Sequence, residues 1–417
     1  MKSFYCLRRF FTAILITFLH LGLISQNAQF MNFLENNRIK SEQEVIVGAE
    51  RTELYLPYLK TKRVALLVNH SSRVFGQHLV DYLIKSEVDI KRIFAPEHGF
   101  RGEADAGELV PSTMDSLTGI QIRSLYGKNK KPTPADLREI DVLVFDIQDV
   151  GARFYTYIST MHYAMEACAE NGVEFLVLDR PNPNGFYTDG PVLQKGMESF
   201  VGMHPVPVVH GMTVGEYAKM INGEGWLAEK ITCKLSVIEV VGWDHSDFYQ
   251  LPVRPSPNLP NMLSVYLYPS LALFEGTNVS VGRGTDFPFQ VFGSPFLNAG
   301  LFEFVPTPKP GAMSPKHNGM TCRGIDLRQD GAWSVIQEKR FNLEWMMLAY
   351  NNTYDKEDFF LKNGFFDLLS GNKKLHQQVV NGTGLERIRK SWTKDLEEFK
   401  NIRSKYLLYP DFEQSGL

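Results

Sequence analysis

Five short apolar runs, each closed by polar residues, organise the first 250 positions of the chain. They occupy positions 63–70, 89–95, 141–146, 174–179 and 235–241. A continuous apolar run of this length is typical of a strand that is buried on both faces, as in a parallel sheet. We therefore predict five buried strands in this part of the chain.

Segments with a helical period separate these runs, at positions 77–85, 161–171 and 214–222. Gly172 follows the second segment and is a typical residue at a helix C-terminus. An alternation of strands and helices predicts an α/β fold, here a Rossmann-like doubly wound parallel sheet. Ligands bind such sheets outside the carboxyl ends of the strands. The polar residues that close the runs are therefore candidate site residues.

The character of the chain changes beyond position 250. Proline becomes dense at positions 252–269, and a glycine-rich segment follows at 275–285. Beyond position 290, short apolar runs alternate with proline-containing loops and helical patterns such as 385–406. This division predicts a Rossmann-like catalytic domain over 45–290 and a smaller α+β domain over 291–417.

The N-terminus has the features of a secretory signal peptide. Lys2, Arg8 and Arg9 precede an apolar stretch at 10–24, and small or polar residues follow at 25–28. The apolar stretch is shorter than the roughly 20 residues that a membrane span needs. We predict a signal peptide over 1–28, a periplasmic or secreted location and no stable membrane span after processing. An uncleaved anchor is the alternative.

Composition and motifs exclude several classes of protein. A net charge of −3 without a basic stripe argues against a nucleic-acid partner. The cysteines beyond the predicted signal peptide, Cys168, Cys233 and Cys322, have no paired metal-site spacing. No G-x-G-x-x-G motif follows a predicted strand, and the P-loop, G-x-S-x-G and H-E-x-x-H motifs are absent. The sequence therefore predicts no cofactor and no metal site.

Four of the predicted strands end in polar or charged residues, namely Asn69, His70, Glu97, His98, Asp146, Gln148, Asp149, Asp179 and Arg180. Helix N-capping explains one or two such positions, but it explains all four strand ends less readily. Because the carboxyl ends of parallel strands meet at one edge of the sheet, we expect these side chains to lie near one cleft.

Glu97 stands out because it lies in a turn with His98 and Arg101 nearby. Burial would raise the pKa of a carboxyl group there, whereas neighbouring cations would lower it. Such a group suits acid–base catalysis. A structural carboxylate that ties the turn to Arg101 fits the residues equally well.

Two further segments carry groups suited to a polar ligand. Arg153, Tyr155 and Tyr157 follow the third predicted strand, and Glu275 and Arg283 lie in a glycine-rich frame. Loops on a rigid scaffold carry function disproportionately. The alternatives are structural: a capped helix with an internal Asp–Arg pair for the first segment, and a glycine turn with a solvated carboxylate for the second.

Taken together, these segments resemble the exo-β-N-acetylmuramidase family of glycoside hydrolases, long known as a domain of unknown function. The resemblance extends from about position 45 to about position 410. It rests on five collinear segments at positions 97–102, 145–157, 178–183, 255–258 and 275–285.

The resemblance implies release of terminal β-linked N-acetylmuramic acid from the non-reducing end of peptidoglycan fragments. It implies a cleft between the two domains, muropeptides and MurNAc-GlcNAc oligosaccharides as partners, and a role in cell wall recycling. Glu97 matches the catalytic glutamate of the family's E-H-G motif, and Glu275 matches the glutamate of its E-G-T-N motif. Glu174 is another candidate, but it begins a strand and is expected at the opposite end of the sheet. Val281 departs from the family, which commonly has an acidic residue there.

Glu97 and Glu275 are thus the predicted catalytic residues. The predicted substrate-binding residues are Asn69, His70, His98, Arg101, Asp146, Gln148, Asp149, Arg153, Tyr155, Tyr157, Asp179, Arg180, Asn182, His210 and Arg283. Among these, an arginine suits the lactyl carboxylate of muramic acid, because a guanidinium group binds carboxylates bidentately.

The sequence leaves the mechanism open among retention, inversion and participation of the substrate's 2-acetamido group. A non-catalytic periplasmic muropeptide- or sugar-binding protein would share the cleft and the export signal. A peptidoglycan amidase or esterase is a weaker alternative, because no activated serine, cysteine or zinc constellation is visible.

Overall fold

A seven-stranded, mostly parallel sheet lies at the centre of the computed structural model, which describes residues 44–100, 113–115, 117–329 and 331–412. The strands in chain order are β1 (Arg63–Val68), β2 (Arg73–Val74), β3 (Gln77–His78), β4 (Asp89–Ala95), β5 (Thr113–Met114), β6 (Gln121–Ser124), β7 (Val142–Asp146), β8 (Glu174–Leu178), β9 (Leu235–Ile238), β10 (Val291–Ser294), β11 (Phe302–Phe304) and β12 (Cys322–Asp326).

The α-helices are α1 (Thr52–Leu59), α2 (Leu79–Lys85), α3 (Tyr157–Asn171), α4 (Val214–Gly223), α5 (Met262–Leu271), α6 (Gly331–Glu338), α7 (Glu344–Asn352), α8 (Phe365–Ser370), α9 (Lys374–Val380), α10 (Leu385–Lys390) and α11 (Thr393–Arg403). Short 3₁₀ turns occur at Gly48–Glu50, Ala228–Lys230 and Ala272–Gly276. Within the described residues, no helix has both the length and the apolar character to cross a membrane.

The strand order of the large sheet is β5-β6-β4-β1-β7-β8-β9, and only the short β5 runs antiparallel to its neighbour. Chain order therefore moves outward in both directions from β1, which pairs in parallel with β4 on one side and with β7 on the other. Such a reversal creates a crevice at the carboxyl ends of the central strands. The predicted α/β doubly wound fold is confirmed.

Both faces of the central strands are buried, as their continuous apolar runs predicted. Along β1, Ala65 and Leu67 join a large apolar core on one face, whereas Val64, Leu66 and Val68 join a second core on the other. This alternation follows from the two-residue period of a strand. Helices cover both faces, so a ligand site is expected at the carboxyl ends of the strands rather than on a face of the sheet.

Several boundaries differ from the predicted ones for local reasons. The helix predicted at 77–85 begins at Leu79, because Gln77 and His78 pair with Arg73 and Val74 as a hairpin. The helix predicted at 385–406 is two helices, α10 and α11. It is interrupted near Trp392, whose indole Nε1 donates to Asp189 at 3.3 Å. The edge strands β5 and β6 were not predicted because they lack an apolar run.

The C-terminal half contains a three-stranded antiparallel sheet, in the order β10-β12-β11, and helices α6 to α11. This is the smaller α+β part that the sequence predicted. The larger apolar core is continuous from Val45 to Tyr409 and includes residues of both halves. The two parts therefore share one core, and the exact boundary at residue 290 stays a prediction.

Candidate active site

A cavity of about 270 Å³ lies at the carboxyl end of the central strands. Residues from both halves of the chain form its wall, namely Glu97, His98, Tyr126, Phe154, Tyr155, Thr156, Tyr157, Phe200, Val201, Ser256, Asn258, Leu259, Tyr268, Glu275, Arg283, Phe289, Phe365 and Leu369. Two carboxylates, an arginine and several aromatic rings thus line one cavity. Aromatic rings and a few convergent polar groups are the usual composition of a ligand site.

Glu97 reaches this cavity because the chain turns sharply after β4. The Gly99 amide donates to the Pro96 carbonyl at 3.0 Å, and both His98 and Gly99 adopt left-handed backbone angles, with φ of 69° and 74°. A non-glycine residue with positive φ is uncommon, and such strain is often found at functional sites. The turn leaves the Glu97 side chain half-buried at the cavity wall.

Two hydroxyl groups hold the Glu97 carboxylate. The Thr156 hydroxyl donates to Glu97 Oε2 at 2.6 Å, and the Tyr126 hydroxyl is a second hydrogen-bonding partner. Burial and the Glu97 charge raise the pKa of Tyr126 above its usual value. Thr156 is the residue before helix α3, so the carboxylate also lies at the positive end of the dipole of a 15-residue helix.

Three tyrosines form an apolar and hydroxyl-bearing wall of the cavity. Tyr155 and Tyr157 both donate to the Pro255 carbonyl, at 2.9 and 3.4 Å. Tyr155 packs edge-on against Tyr157 and Tyr268, with ring centroids 4.8 and 5.6 Å apart. Burial raises the pKa of each of the three hydroxyls, so they stay neutral donors at physiological pH.

The C-terminal half contributes a charged pair. Arg283 Nε donates to Glu275 Oε1 at 2.8 Å, and the guanidinium lies 5.0 Å from the centroid of the Phe289 ring. A cation over an aromatic face is held by the ring quadrupole. Arg283 is therefore fixed from two sides, and its hydrogen bond to Glu275 uses Nε rather than an Nη atom.

Gly276, next to Glu275, allows the chain to approach helix α8. A Cβ atom at Gly276 would lie 2.5 Å from the backbone nitrogen and Cα of Phe366, a contact that no side chain tolerates. The following Thr277 hydroxyl donates to the Phe274 carbonyl at 2.8 Å and closes the turn. The glycine of the E-G-T-N segment thus sets the position from which Glu275 enters the cavity.

The structure brings together six of the predicted site residues in this cavity, namely Glu97, His98, Tyr155, Tyr157, Glu275 and Arg283. Arg101 lies outside the described residues. Sequence reasoning missed Tyr126, Thr156 and Phe200. Thr156 stands inside the 145–157 segment and was available from it, whereas Tyr126 and Phe200 belong to segments with no distinguishing pattern.

The remaining predicted site residues do not line the cavity, which corrects the expectation that every polar strand end faces the ligand. Asp146 and Arg180 form a buried ion pair, with Nε and Nη2 of the arginine at 2.6 and 3.0 Å from the carboxylate. Arg180 Nη2 also donates to the Arg73 carbonyl at 2.8 Å. The pair joins the ends of β7 and β8 and is bound to protein rather than directed at the cavity.

Asp179 is likewise engaged by protein groups. Its carboxylate accepts hydrogen bonds from the Thr213 hydroxyl at 2.7 Å, the Gly215 amide at 2.8 Å and the Tyr409 hydroxyl at 2.6 Å. Burial raises the pKa of Asp179 to about 6. This carboxyl group anchors the start of helix α4 and the C-terminal segment to the sheet.

Gln148 and Asn182 connect loops below the cavity. Gln148 Nε2 donates to the carbonyls of Asp149 and Pro181, each at 2.8 Å. Asn182 Nδ2 donates to the Met212 carbonyl at 2.9 Å. Both side chains are buried, so the geometry assigns them to loop structure.

Asp149 and His210 lie in the core behind the cavity. Asp149 Oδ2 accepts from the Gly151 amide at 2.7 Å, and His210 Nε2 lies 4.0 Å from the same oxygen. Burial raises the pKa of Asp149 to about 7 and lowers that of His210 to about 3. Gly151, with φ of 75°, is required there because a Cβ would lie 2.3 Å from the Asn182 amide.

Arg153 is fully buried and binds only carbonyl groups among its recorded hydrogen bonds. Nη1 donates to Pro191 and Val206 at 2.7 and 2.8 Å, and Nη2 donates to Leu369 at 2.8 Å. Burial lowers the pKa of Arg153 to about 9. Its guanidinium joins the N-terminal half to helix α8 and does not face the cavity.

Asn69 and His70 follow β1 beside the cavity without lining it. Asn69 Oδ1 accepts from the Ser71 amide and hydroxyl at 2.9 and 2.6 Å. His70 Nε2 donates to the Arg254 carbonyl at 2.7 Å, and burial lowers the pKa of its ring. His70 thereby supports the 254–259 segment, which carries cavity residues, whereas Asn69 holds the turn that follows β1.

Glu174, the alternative catalytic candidate, lies at the amino end of β8, where it is in register with Val142 at the start of β7. Its carboxylate interacts with Lys234 and with the Tyr58 hydroxyl. The cavity is at the carboxyl ends of these strands. Glu174 is therefore at the opposite end of the sheet, as its position at the start of a strand predicted.

Within the described residues, no group of three or more His, Cys, Asp or Glu side chains is arranged to hold a metal ion. Cys168, Cys233 and Cys322 are all buried free thiols. Among the described residues, the cavity wall presents carboxylates, hydroxyls, the His98 imidazole and the Arg283 guanidinium.

Comparison with known proteins gives the family. The N-terminal and C-terminal sequence models of the exo-β-N-acetylmuramidase NamZ family match residues 64–263 and 266–409. The chain is 42% identical over 377 residues to the peptidoglycan β-N-acetylmuramidase NamZ of Bacillus subtilis strain 168, across 85% of this chain and 89% of that protein.

Two crystal structures of DUF1343 family proteins from Bacteroides fragilis have a similar fold. One has a TM-score of 0.81 and 44% identity, and the other a TM-score of 0.71 and 31% identity. Each match covers 88% of this chain and 99% of the other. The chain therefore belongs to the exo-β-N-acetylmuramidase NamZ family, as its collinear motifs predicted.

Proposed function

We propose that the protein is an exo-acting glycoside hydrolase that releases terminal β-linked N-acetylmuramic acid from the non-reducing end of peptidoglycan fragments. The observation that carries this proposal is a cavity, in a member of this family, that is lined by Glu97 and by the Glu275–Arg283 pair. The cavity volume of about 270 Å³ is near the lower end of ligand pockets. It suits one sugar residue, which favours exo action.

Glu97 acts as the proton donor for the leaving glycosidic oxygen. Glycoside cleavage requires such a donor, because the departing alkoxide is otherwise too basic. Thr156 and Tyr126 hold the Glu97 side chain in a fixed orientation through their hydroxyls. This pre-orientation keeps the carboxyl group where the bond is to break, and such positioning lowers the barrier.

Glu275 is the second carboxylate and stabilises the positive charge that develops at the anomeric carbon. A separation of about 5–5.5 Å between the two carboxyl groups corresponds to retention, and about 6.5–9.5 Å to inversion. The 2-acetamido group of the substrate offers a third route, as an internal nucleophile. The anomeric form of the first-released sugar, followed by proton NMR, separates inversion from the two retaining routes.

Arg283 binds the lactyl carboxylate that distinguishes N-acetylmuramic acid from N-acetylglucosamine. Its Nε is used by Glu275, so a ligand carboxylate would approach the Nη atoms. Charge-assisted hydrogen bonds of this kind are about twice as strong as neutral ones. The tyrosine wall supplies apolar ring surface for the sugar, and the oxygens of its neutral hydroxyls can accept hydrogen bonds from it.

The protein is exported, and its substrates are muropeptides and MurNAc-GlcNAc oligosaccharides released during cell wall recycling. The supporting observation is the charged, apolar and then small-residue pattern of positions 1–28. Fractionation of cells and N-terminal sequencing of the purified protein test this point. A protein retained in the cytoplasm with its first residues intact would contradict it.

A chromogenic β-N-acetylmuramide tests the activity. We expect turnover by the wild type and a loss of about 10³-fold in Glu97→Gln, the scale of a lost general acid. Glu303→Gln is the matched control, since Glu303 is exposed and pairs with Arg323 on the C-terminal sheet. Tight sugar binding without turnover by the wild type would instead identify a non-catalytic muropeptide-binding protein.

A further inference from the structure

Lys316 lies in the loop that connects β11 and β12. The residues that it contacts are distant from it in sequence. Its Nζ atom donates to the Phe274 carbonyl at 3.2 Å, to the Val279 carbonyl at 3.1 Å and to the Thr277 carbonyl at a shorter distance. All three acceptors belong to the segment 274–279, which we call the Glu275 loop. One amine therefore binds three points of the loop that carries a cavity carboxylate.

The ammonium form of lysine can donate to all three carbonyls at once, of which the Phe274 carbonyl also accepts from the amide and hydroxyl of Thr277. An ammonium group has three N–H donors, one for each carbonyl, whereas the neutral amine has two. A buried carbonyl that loses its donor costs about 1–3 kcal/mol. The contact also places a positive charge at the end of the 3₁₀ turn Ala272–Gly276, where carbonyl dipoles point outward.

The β11–β12 loop makes a second contact with the Glu275 loop. The ring Nε2 of His317 lies 2.6 Å from the Asn278 carbonyl, and His317 has a left-handed backbone with φ of 59°. Lys316 and His317 thus form hydrogen bonds with four backbone carbonyls of the Glu275 loop. Glu275 lies between Phe274 and Thr277, whose carbonyls both accept from Lys316. The direction of the Glu275 side chain therefore depends on these hydrogen bonds.

We propose that the Lys316 ammonium group is a positioning residue of the active site, which holds the Glu275 loop in the conformation that presents Glu275 to the cavity. This inference rests on the proposed function for its catalytic consequence, but the loop contact itself does not depend on it. Lys316 does not line the cavity, so it acts through Glu275 rather than on the substrate.

The charge state of Lys316 is set by its surroundings. Burial lowers its pKa to about 8, with Glu275 opposing and Arg283 reinforcing the shift. His317 is the other titratable group that interacts with it. As the pH rises through 8, the amine loses one donor and its charge, and the Glu275 loop loses an anchor. We therefore expect kcat to decline above pH 8.

The test compares Lys316→Met and Lys316→Arg with the matched control Lys309→Met. Lys309 is in the same inter-strand segment but pairs with exposed Asp286. We expect Lys316→Met to lower kcat about 100-fold, the scale of a 1 Å misplacement, with little change in KM. Lys316→Arg stays charged, so it recovers a large part of kcat and abolishes the decline above pH 8. Lys309→Met behaves as the wild type.

Amide hydrogen exchange over residues 274–285 gives a readout that needs no substrate. In the wild type, protection of this segment falls above pH 8 after correction for the intrinsic exchange rate, and in Lys316→Met it is already low at pH 7. Equal protection in both proteins, or a wild-type kcat in Lys316→Met, overturns the proposal. If the wild type hydrolyses no β-N-acetylmuramide, the proposed function fails, and exchange still decides whether Lys316 holds the loop.

Discussion

Arg283 Nε lies 2.8 Å from Glu275 Oε1, so two charged groups that the C-terminal half brings to the cavity are paired with each other. The arginine therefore has two tasks, one toward Glu275 and one toward a ligand carboxylate. Its removal should affect substrate choice as well as rate, because a muramic acid carboxylate would lose its partner while N-acetylglucosamine has none to lose.

We expect Arg283→Ala to reduce the preference for aryl β-N-acetylmuramide over aryl β-N-acetylglucosaminide by about 10- to 100-fold, the value of a hydrogen bond to a charged group. The ratio of kcat/KM for the two glycosides measures it. Arg323→Ala is the control, since Arg323 is exposed and pairs with Glu303. An unchanged ratio in Arg283→Ala would show that Arg283 does not bind the lactyl carboxylate.

The Thr156 hydroxyl offers a separate test of Glu97. Thr156→Val keeps the shape of the side chain but removes the donor at 2.6 Å from Glu97 Oε2. We expect kcat to fall about 10-fold, since one hydrogen bond to a carboxylate is lost. Thr156→Ser retains the hydroxyl and should keep most of the wild-type rate. Equal rates in the two variants would show that the contact does not orient Glu97.

The buried pair of Asp146 and Arg180 should matter for stability rather than for selectivity. We expect Arg180→Met to lower the free energy of unfolding by about 3–5 kcal/mol, because it leaves a buried carboxylate without its partner. Arg323→Met, which breaks an exposed pair with Glu303, should cost less than about 1 kcal/mol. Urea unfolding measures both. A changed sugar preference with full stability in Arg180→Met would contradict this assignment.

Asp149 should make stability depend on pH in a definite direction. Burial raises its pKa in the folded protein to about 7, above the ordinary aspartate value of 3.8. The folded state therefore keeps a proton that the unfolded chain releases. The stabilisation is fully present below pH 3.8 and is lost as the pH rises through 7.

The side chain of the variant Asp149→Asn cannot ionise, so its stability lacks this dependence on pH. Between pH 5 and pH 7 we expect the free energy of unfolding of the wild type to fall by about 3 kcal/mol relative to the variant. Taking the difference between the two proteins removes contributions that they share, such as that of Asp179. Parallel stability curves would show that Asp149 is ionised in the core throughout this range.

The sequence predicted the layer that positions the site better than the site itself. Continuous apolar runs identified the central strands and placed Glu97 and Glu174 at opposite ends of the sheet, because the end of a strand that a residue occupies follows from its order in the run. The edge strands escaped prediction, since two- and four-residue strands with little burial leave no apolar pattern.

Pattern alone could not separate strand-end residues that face the cavity from those that bind each other. From the sequence, Asp146 and Arg180 were predicted to bind the ligand. In the structure their side chains form an ion pair with each other. Lys316 lies about forty residues from the loop that it holds, and such long-range contacts leave no mark in local sequence. The family resemblance predicted Glu97 and Glu275 as catalytic residues. Their sequence context alone had fitted a structural role at least as well.

The guanidinium of Arg153 joins carbonyls at Pro191 and Val206 to one at Leu369, within an apolar core that runs through both halves. Residues 64–263 and 266–409 are therefore not portable modules. A gene rearrangement that carried only one of them would expose the shared core. It would also leave the buried Arg153 guanidinium without some of its carbonyl partners. The two segments are expected to be inherited, expressed and lost as a single unit.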